Sequence, residues 1–227
     1  MPPLLTHELA PTLELGAQQL ALALTQETQQ QLLRYLDLMG KWNRVYNLTA
    51  IRDPREMLSQ HLLDSLAVVG PLQEHLRRQA PPTEQPLVLD VGSGAGLPGV
   101  VLAICMPTLR VVCVDAVAKK ISFLRQVAAE LHLPNLDPRH ARIEELPPLD
   151  ADVVTSRAFA SLQDMVQWTR RHVARHGVWM AMKGRRPEAE IEAVAREIDV
   201  FHVEQLQVPL LDAERCLVWA RPTHTNR

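Results

Sequence analysis

A short apolar segment that runs directly into a glycine-rich turn constrains the fold of this chain more than any other feature. The segment LVLDV at 87–91 is followed by GSGAGLPG at 92–99, and an apolar helical pattern begins there. An apolar run of this length, followed at once by glycines and a helix, is typical of a buried strand in a parallel sheet. The glycines leave bare backbone at the carboxyl end of the strand, where a ligand can lie against the first amides of the helix. The segment therefore predicts an α/β domain with a ligand site at this turn.

Two classes of ligand fit the turn. The spacing Gly94-x-Gly96-x-x-Gly99 matches the dinucleotide fingerprint, which favours a nicotinamide-dependent oxidoreductase. Asp90, however, would place a carboxylate beside a pyrophosphate, whereas it suits the ammonium and sulfonium groups of S-adenosylmethionine. Asp115 ends the next apolar run, about 20 residues further on, where an acid that binds ribose hydroxyls is expected. The two acids favour S-adenosylmethionine. The oxidoreductase and a module that binds cofactor or RNA without catalysis stay open as alternatives.

Apolar and amphipathic patterns alternate from residue 87 onward. Apolar runs predict strands at 87–91, 111–115, 138–142, 151–156, 178–183, 200–208 and 216–220. Helical patterns fall between them at 100–106, 119–131, 161–177 and 187–198. This order predicts a Rossmann-like class I S-adenosylmethionine-dependent methyltransferase sheet, mostly parallel, with helices on both faces. Seven strands are expected, and the last two should form an antiparallel hairpin.

The part of the chain before residue 81 is predicted to be helical. One helix should begin at Gln29, and the sequence DPRE at 53–56 predicts a second one that runs to Val69 and ends before Gly70. The proline-rich segment 80–86 predicts a linker. We therefore expect a helical N-terminal extension at 1–80 and a methyltransferase domain at 81–227. Basic side chains of the extension suggest RNA docking: Lys41, Arg44, Arg52 and Arg55.

Composition limits the kinds of partner that this chain can have. With 227 residues, 47% of them hydrophobic, the chain can bury a full core, and its net charge of -2 restricts any RNA-binding surface to a local patch. No apolar run approaches the ~18 residues of a membrane span, and the N-terminus lacks a secretory pattern. We therefore expect a cytoplasmic protein without a membrane segment. His172 and His176 lack a third ligand, so we expect no metal.

Ligands of open α/β sheets bind beyond the carboxyl ends of the strands, and this rule collects the candidate site residues. Ile143 can pack against an adenine ring and Glu144 can bind its edge. Arg157 is a candidate contact of the cofactor carboxylate, of a guanine or of an RNA phosphate. Lys183 and Arg185 are candidate phosphate contacts.

A histidine and a carboxylate share one face of a predicted N-terminal helix. His61 lies three residues before Asp64 and four before Ser65. A catalytic role is possible for this face, but a histidine paired with a neighbouring carboxylate is the commoner case. We therefore favour a structural role.

The residues after the fourth predicted strand narrow the choice of acceptor. Enzymes that methylate exocyclic amines of bases carry an Asn/Asp-Pro-Pro-aromatic tetrapeptide there, whereas this chain has SRAF at 156–159. Methylation of pyrimidine C5 needs a cysteine in this region, and none of the three cysteines is placed for it. The remaining acceptors carry a free lone pair, as guanine N7 does. We therefore expect no general base and name no catalytic residue.

Four motifs, taken in order, resemble a known family. They are WNRVYNLTAI at 42–51, HLLDSL at 61–66, LDVGSGAGLPG at 89–99 and SRAFA at 156–160. Together they resemble the bacterial glucose-inhibited division protein B family, the small-subunit ribosomal RNA methyltransferase G, over residues 29–221. The resemblance implies S-adenosylmethionine as methyl donor and N7 of a guanine in 16S rRNA as acceptor, within naked rRNA, the small ribosomal subunit or an assembly intermediate.

The resemblance also implies cofactor contacts by position. These are Gly92, Leu97, Ile143, Glu144 and Arg157, and the general fold argument adds Asp90, Gly94 and Asp115. The family often has serine where this chain has Ala116, and a small residue where it has Ile143. Both differences bear on adenosine packing.

Overall fold

The computed structural model describes residues 4–79, 83–157, 159 and 161–223. A seven-stranded sheet forms its centre, in the order β3-β2-β1-β4-β5-β7-β6. The strands are β1 Leu87–Val91, β2 Arg110–Asp115, β3 Leu136–His140, β4 Ala151–Ser156, β5 Val173–Lys183, β6 Ile198–Leu206 and β7 Arg215–Pro222. Strands β1 to β5 are parallel, and β7 runs antiparallel to both of its neighbours. The predicted fold class is confirmed, including the antiparallel hairpin at the end.

Helices cover both faces of the sheet and form the N-terminal part. They are α1 Leu4–Gln19, α2 Gln26–Tyr46, α3 Pro54–Met57, α4 Asp64–Leu66, α5 Val69–Arg78, α6 Gly99–Cys105, α7 Ala118–Glu130, α8 Leu162–Thr169 and α9 Glu188–Val194. A π-helix, Leu58–Leu63, joins α3 to α4, and 3-10 helices occur at Ile143–Glu145 and Arg170–His172. Among the described residues, none of these helices is both long and apolar enough to cross a bilayer.

The strand order reverses between β1 and β4. The chain moves outward from β1 through β2 to β3, then returns to place β4 on the other side of β1. The connections that follow β1 and β4 leave the sheet in opposite directions. This divergence opens a crevice beyond the carboxyl ends of the two strands. The glycine turn after β1 lies at this crevice.

The helical N-terminal part packs directly on one face of the sheet. Leu32 and Leu36 of α2 and Leu62 of the π-helix belong to the same buried cluster as Val100 and Ile104 of α6. A boundary near residue 80 therefore separates chain segments that share one hydrophobic core, and the division into two domains stays a prediction. Residues 80–82 of the predicted linker lie outside the described residues.

Local signals placed several helix starts correctly. Asp53 caps α3 by accepting hydrogen bonds from the amides of Arg55 and Glu56, at 2.8 and 3.3 Å. Ser161 caps α8 by accepting from the amide of Asp164 at 3.0 Å. Both caps confirm predictions from sequence, because a cap depends only on residues within one turn.

Several predicted boundaries were wrong, including the start of β5, which lies at Val173 and not at residue 178. The helix predicted to run to Val69 is already interrupted after Leu66, and a further helix, α5, begins at Val69 and carries Pro71 in its first turn, where a proline is tolerated. Helix α8 ends at Thr169, well before Gly177, which lies inside β5. A Cβ at Gly177 would lie 2.5 Å from the carbonyl oxygen of Ala151, so this glycine allows close strand approach. Pairing with β2 also moves β3 two residues earlier than predicted.

Candidate active site

A cavity of about 510 Å³ opens at the carboxyl ends of β1, β2, β3 and β4. Its volume falls in the range of small-molecule sites, ~300–1,000 Å³. It is lined by Val91, Gly92, Val114, Asp115, Ala116, Ala141, Arg142, Ile143, Glu144, Ser156, Phe159, Asp164 and Trp168. A larger cavity, of about 790 Å³, lies near the start of β5 and the end of β7. Only the smaller one lies at the edge of the sheet where open α/β folds bind ligands.

The glycine turn brings bare backbone to this cavity. Gly92, Gly94 and Gly96 all have positive φ, at 67°, 60° and 91°. Of the three, only Gly92 lines the cavity. A Cβ on Gly96 would lie 2.4 Å from Cγ2 of Val100, so this position packs the turn against α6. Within the turn, Gly92 therefore exposes backbone to the cavity, whereas Gly96 allows the turn to pack against α6.

Asp115 lies at the cavity, as predicted. Its Oδ2 accepts a hydrogen bond from the amide of Gly94 at 2.9 Å, and its Oδ1 accepts from the amide of Val117 at 2.8 Å. Lys120 Nζ lies 3.4 Å from Oδ2. The side chain is only 6% exposed, yet it forms part of the cavity wall. These bonds fix the carboxylate at the end of β2 and connect it to the glycine turn.

Asp90 lies away from the cavity, which contradicts its predicted place in the ligand site. Side chains alternate between the two faces of a strand, and because Val91 lines the cavity, Asp90 faces α6 instead. Its Oδ2 accepts from the amide of Gly99 at 2.9 Å, while its buried Oδ1 has no hydrogen-bond partner among the described residues. Burial raises the pKa of this carboxyl to about 7, although the bond from Gly99 opposes the shift. Asp90 thus stabilises the glycine turn through its bond to the first residue of α6, on the side away from the cavity.

Ile143 and Glu144 line the cavity, as predicted, in the 3-10 helix after β3. Two side chains that follow α8 hold this helix in place. Nε2 of His172 donates to the carbonyl oxygen of Ile143 at 3.0 Å, and Nη1 of Arg171 lies 3.5 Å from that of Glu144. Ile143 is buried and Glu144 is exposed. The cavity therefore has an apolar wall beside a carboxylate.

Arg157 does not line the cavity wall, and the cofactor contact that the resemblance implies for it stays a prediction. Its Nη1 donates to the carbonyl oxygen of Gln60 at 3.1 Å and lies 3.2 Å from Oδ2 of Asp64. Its Nη2 lies 3.5 Å from Nδ1 of His61. The guanidinium thus binds the N-terminal helices, which no local sequence pattern indicates. Its neighbour Ser156 does line the cavity.

His61 contacts Thr49 and Arg157, while the carboxylate of Asp64 pairs with Arg157 and Arg215 instead of the imidazole, and the structural role of His61 stays a prediction. Its Nε2 lies 2.7 Å from the hydroxyl of Thr49. Burial, with the nearby charge of Arg157, lowers the pKa of His61 to about 4. The imidazole is therefore neutral at neutral pH. Because its Nδ1 faces a guanidinium, Nδ1 accepts and Nε2 donates to Thr49.

The remaining predicted site residues lie outside the cavity wall. Lys183 pairs with Glu190 at 2.8 Å, and Glu190 also accepts from the amide of Leu162 at 2.6 Å, so Lys183 links β5, α8 and α9. Arg185 is exposed and away from the cavity. Leu97 is buried in the core, and the amide of Gly94 is bonded to Asp115. The ammonium of Lys183 is engaged in this ion pair, and the phosphate contact predicted for it stays a prediction.

Among the further residues that line the cavity are Phe159, Asp164 and Trp168, which the sequence analysis did not select as site residues. The rings of Phe159 and Trp168 meet edge to face, with centroids 5.5 Å apart. Asp164 and Trp168 share one face of α8 because they lie four residues apart. This spacing could have indicated from sequence that Asp164 and Trp168 face the same site. No sequence pattern indicated that Phe159, in the loop after β4, would line the cavity.

The strand order, the glycine turn and the acid that ends β2 together define the Rossmann-like class I fold of S-adenosylmethionine-dependent methyltransferases. The structure of a SAM-dependent methyltransferase from Aquifex aeolicus matches with a TM-score of 0.53 at 16% identity, over 77% of this chain and 96% of that one. A match at this identity shows the fold alone.

Sequence comparison then identifies the family. The family model described as rRNA small subunit methyltransferase G matches residues 28–218. A protein of Polaromonas sp. strain JS666 with the name Ribosomal RNA small subunit methyltransferase G is 57% identical over 209 residues, 92% of each chain. Its namesake from Methylibium petroleiphilum is 58% identical over 211 residues, 93% of each chain. This chain belongs to the rRNA small subunit methyltransferase G family, which confirms the resemblance seen in its motifs.

Proposed function

We propose that this protein transfers a methyl group from S-adenosylmethionine to N7 of a guanine in 16S rRNA. The observation that carries the proposal is the cavity at the ends of β1 to β4, whose wall includes Asp115, Ile143 and Glu144. It occurs in a chain of the rRNA small subunit methyltransferase G family. The 16S rRNA, free or within the small ribosomal subunit, is the proposed partner.

The residues of the cavity fit S-adenosylmethionine. Oδ1 of Asp115 accepts one backbone N–H, so it retains a lone pair for a ribose hydroxyl, whereas Oδ2 accepts from the amide of Gly94 and from Nζ of Lys120. Ile143 offers an apolar surface to the adenine ring, and the carboxylate of Glu144 can accept from the adenine amino group. Gly92 lets the ligand approach the backbone closely. When bound, S-adenosylmethionine supplies an electrophilic methyl group on its sulfonium.

The residues around the cavity support an acceptor that needs neither a base nor a cysteine. Cys113 and Cys216 are buried in the core, and among the described residues no cysteine lines the cavity. Guanine N7 carries an in-plane lone pair and needs no deprotonation. The contribution of the chain is then to hold the acceptor in line and to exclude water.

The test is methyl transfer with labelled S-adenosylmethionine. The acceptors are deproteinised 16S rRNA and, in parallel, small ribosomal subunits from cells that lack this protein, and labelled nucleosides are located by mass mapping. We expect label in 7-methylguanosine at one position of 16S rRNA. Label in another nucleoside would overturn the proposed acceptor. RNA binding without any transfer of label would make the chain a binding module.

We also propose that the basic end of α2 and the loop after it contact the RNA. Lys41, Arg44 and Arg52 line a groove of about 270 Å³, and Lys41 is paired there with Asp37 at 2.7 Å. Because Lys41 is already paired, the argument depends on the two arginines. Reversing both charges (R44E with R52E) should weaken binding to 16S rRNA, and unchanged affinity would exclude this surface.

A further inference from the structure

A strained leucine lies in the loop that joins β6 to β7. Leu210 has a positive φ of 61° and is 61% exposed. The amide of Leu211 donates to the carbonyl oxygen of Val208 at 3.2 Å, which closes a β-turn with Pro209 and Leu210 at its centre. A proline in the first central position and a positive φ in the second define a type II turn, whose second position favours glycine or asparagine. A leucine is therefore not the residue that the turn itself favours.

Folding alone does not explain this leucine. Its neighbours Val208 and Leu211 pack into the hydrophobic core, so the turn is anchored on both sides while the side chain between them is exposed. An unfavourable φ costs free energy, and such strain persists mainly at functional positions. The other non-glycine residues described with positive φ are Ala21, Asn47, His132 and Asp150. Leu210, the long aliphatic one among them, is therefore a candidate for a contact that a partner completes.

The loop of Leu210 lies at the carboxyl edge of the sheet. β7 begins at Arg215, and its next residue Cys216 pairs with Lys183 at the end of β5. β5 is parallel to β4, whose last residue Ser156 lines the proposed cofactor cavity. Because neighbouring strands lie about 4.8 Å apart, β7 begins roughly 10 Å from the end of β4. The strained leucine is thus at the edge of the sheet where an acceptor would reach the cavity.

The charges around the loop favour a nucleic-acid base over a phosphate as the contact of Leu210. Asp212 and Glu214 are exposed on the loop itself, and their carboxylates repel phosphates. Arg185 is exposed on the adjoining loop after β5, where a Cβ at Gly184 would lie 3.9 Å from the carbonyl oxygen of Glu214. An RNA strand whose backbone is attracted by Arg185 would therefore present its bases to Leu210.

We propose that Leu210 is an apolar wedge that enters the stack of bases beside the target guanine and keeps that guanine out of the stack. This inference rests on the proposed function, because it assigns a positioning residue for the acceptor. An enzyme that acts on a base must take it out of the stack, and inserted apolar side chains such as leucine open base steps. The anchored turn fixes the wedge before RNA arrives, which removes part of the entropic cost of binding.

The primary test compares Leu210→Asn with His132→Asn. His132 is a matched control, because it is exposed, has a positive φ of 52° and lies between α7 and the start of β3, at the amino edge of the sheet. Asparagine tolerates this φ, so both variants should melt at or above the wild-type temperature. For L210N we expect kcat at saturating 16S rRNA to fall about tenfold, since the guanine is no longer held out of the stack. The Kd values for RNA and for S-adenosylmethionine should stay near wild type, and H132N should keep the wild-type kcat.

Two further variants separate the apolar volume of the side chain from the strain of the backbone. Leu210→Met keeps an apolar side chain of similar size, so kcat should stay close to wild type. Leu210→Ala loses that volume but keeps the unfavourable backbone conformation, so kcat should fall as it does in L210N. A kcat that follows the melting temperature instead of the side-chain volume would make Leu210 a structural residue only.

Unstacking is measured directly with 2-aminopurine, a base whose fluorescence rises when it leaves the stack. It replaces the base next to the guanine that mass mapping identifies, in 16S rRNA assembled by ligation. Wild type and H132N should raise the fluorescence on binding, whereas L210N should bind without the full rise. An equal rise for L210N would overturn the wedge.

The outcomes also separate this inference from the proposed function. If the wild-type protein methylates 16S rRNA and L210N behaves as H132N does, the wedge is wrong and the proposed function stands. A defect of L210N with small ribosomal subunits but not with deproteinised rRNA would indicate a contact with a ribosomal protein, and the wedge would again be wrong. If the wild-type protein transfers no methyl group to 16S rRNA in either form, the proposed function fails and the wedge fails with it.

Discussion

The hydroxyl of Tyr35 donates a 2.6 Å hydrogen bond to the carbonyl oxygen of Ala95, and this bond joins helix α2 to the glycine turn. Tyr35 is fully buried, and its ring stacks near Phe123 of α7, with centroids 6.3 Å apart. Burial raises the pKa of its phenol well above the usual value, so the hydroxyl stays protonated and remains a donor. The N-terminal helices therefore hold the backbone that the cofactor is proposed to contact.

Removing this hydroxyl should loosen the glycine turn. We expect Tyr35→Phe to lower the free energy of unfolding by about 1–2 kcal/mol, because a buried donor to a carbonyl is lost. It should also weaken binding of S-adenosylmethionine, measured by calorimetry. Tyr46→Phe is the matched control, since Tyr46 lies on the same helix but is partly exposed. Equal affinities for Y35F and Y46F would show that the bond supports only the fold.

Asp115 should be the strongest single contributor to cofactor affinity. For Asp115→Ala we expect the Kd for S-adenosylmethionine to rise roughly 10- to 100-fold, since bonds to a charged acceptor are worth about 1.5–3 kcal/mol. Asp137→Ala on the neighbouring strand removes a half-exposed carboxylate that pairs with Arg139 at 2.7 Å, and it should leave the Kd unchanged. Calorimetry with both variants decides the point, and an unaltered Kd for D115A would remove Asp115 from the site.

Asp90 should make the fold less stable as the pH rises. Its pKa is about 7 in the folded protein and near 3.8 in an unfolded chain. Because the folded state binds this proton more tightly, its stabilising contribution is complete below pH ~4 and is lost as the pH rises through about 7. Asp90→Asn removes that dependence. Between pH 5 and pH 8 we expect the unfolding free energy of wild type to fall by about 2–3 kcal/mol more than that of D90N. Urea denaturation measures it, and parallel pH curves would contradict the prediction.

His61 should show the opposite dependence on pH. Its folded pKa of about 4 lies below the usual value of 6.5, so its contribution to stability is present above pH 6.5 and is lost as the pH falls toward 4. The imidazole should therefore not titrate between pH 6 and pH 8 in NMR spectra, with His61→Gln used to assign its resonance. Arg157→Ala should raise the pKa of His61, because it removes a nearby positive charge. A wild-type ring that titrates near 6.5 would contradict the neutral state.

Local patterns were sufficient where one stretch of chain carries its own signal. The strand at 87–91, its glycine turn and helix α6 were predictable because apolar spacing and backbone freedom depend on nearby residues. The caps at Asp53 and Ser161 were predictable for the same reason. Boundaries such as the start of β3 were less predictable, since pairing with a neighbouring strand decides where hydrogen bonding begins.

The sequence by itself determined the class of fold, the family and the edge of the sheet at which the candidate cavity lies, because each follows from periodicity and from motifs in order along the chain. Only the tertiary structure decided which acid faces the cavity. Asp115 does and Asp90 does not, because strand pairing and the alternation of side chains set the face that each occupies. Only the tertiary structure, too, brought Asp64, Arg157 and Arg215 together. These three residues are far apart along the chain, so no local sequence pattern indicates that they are in contact. A buried carboxylate pairs with whichever cations the fold places beside it.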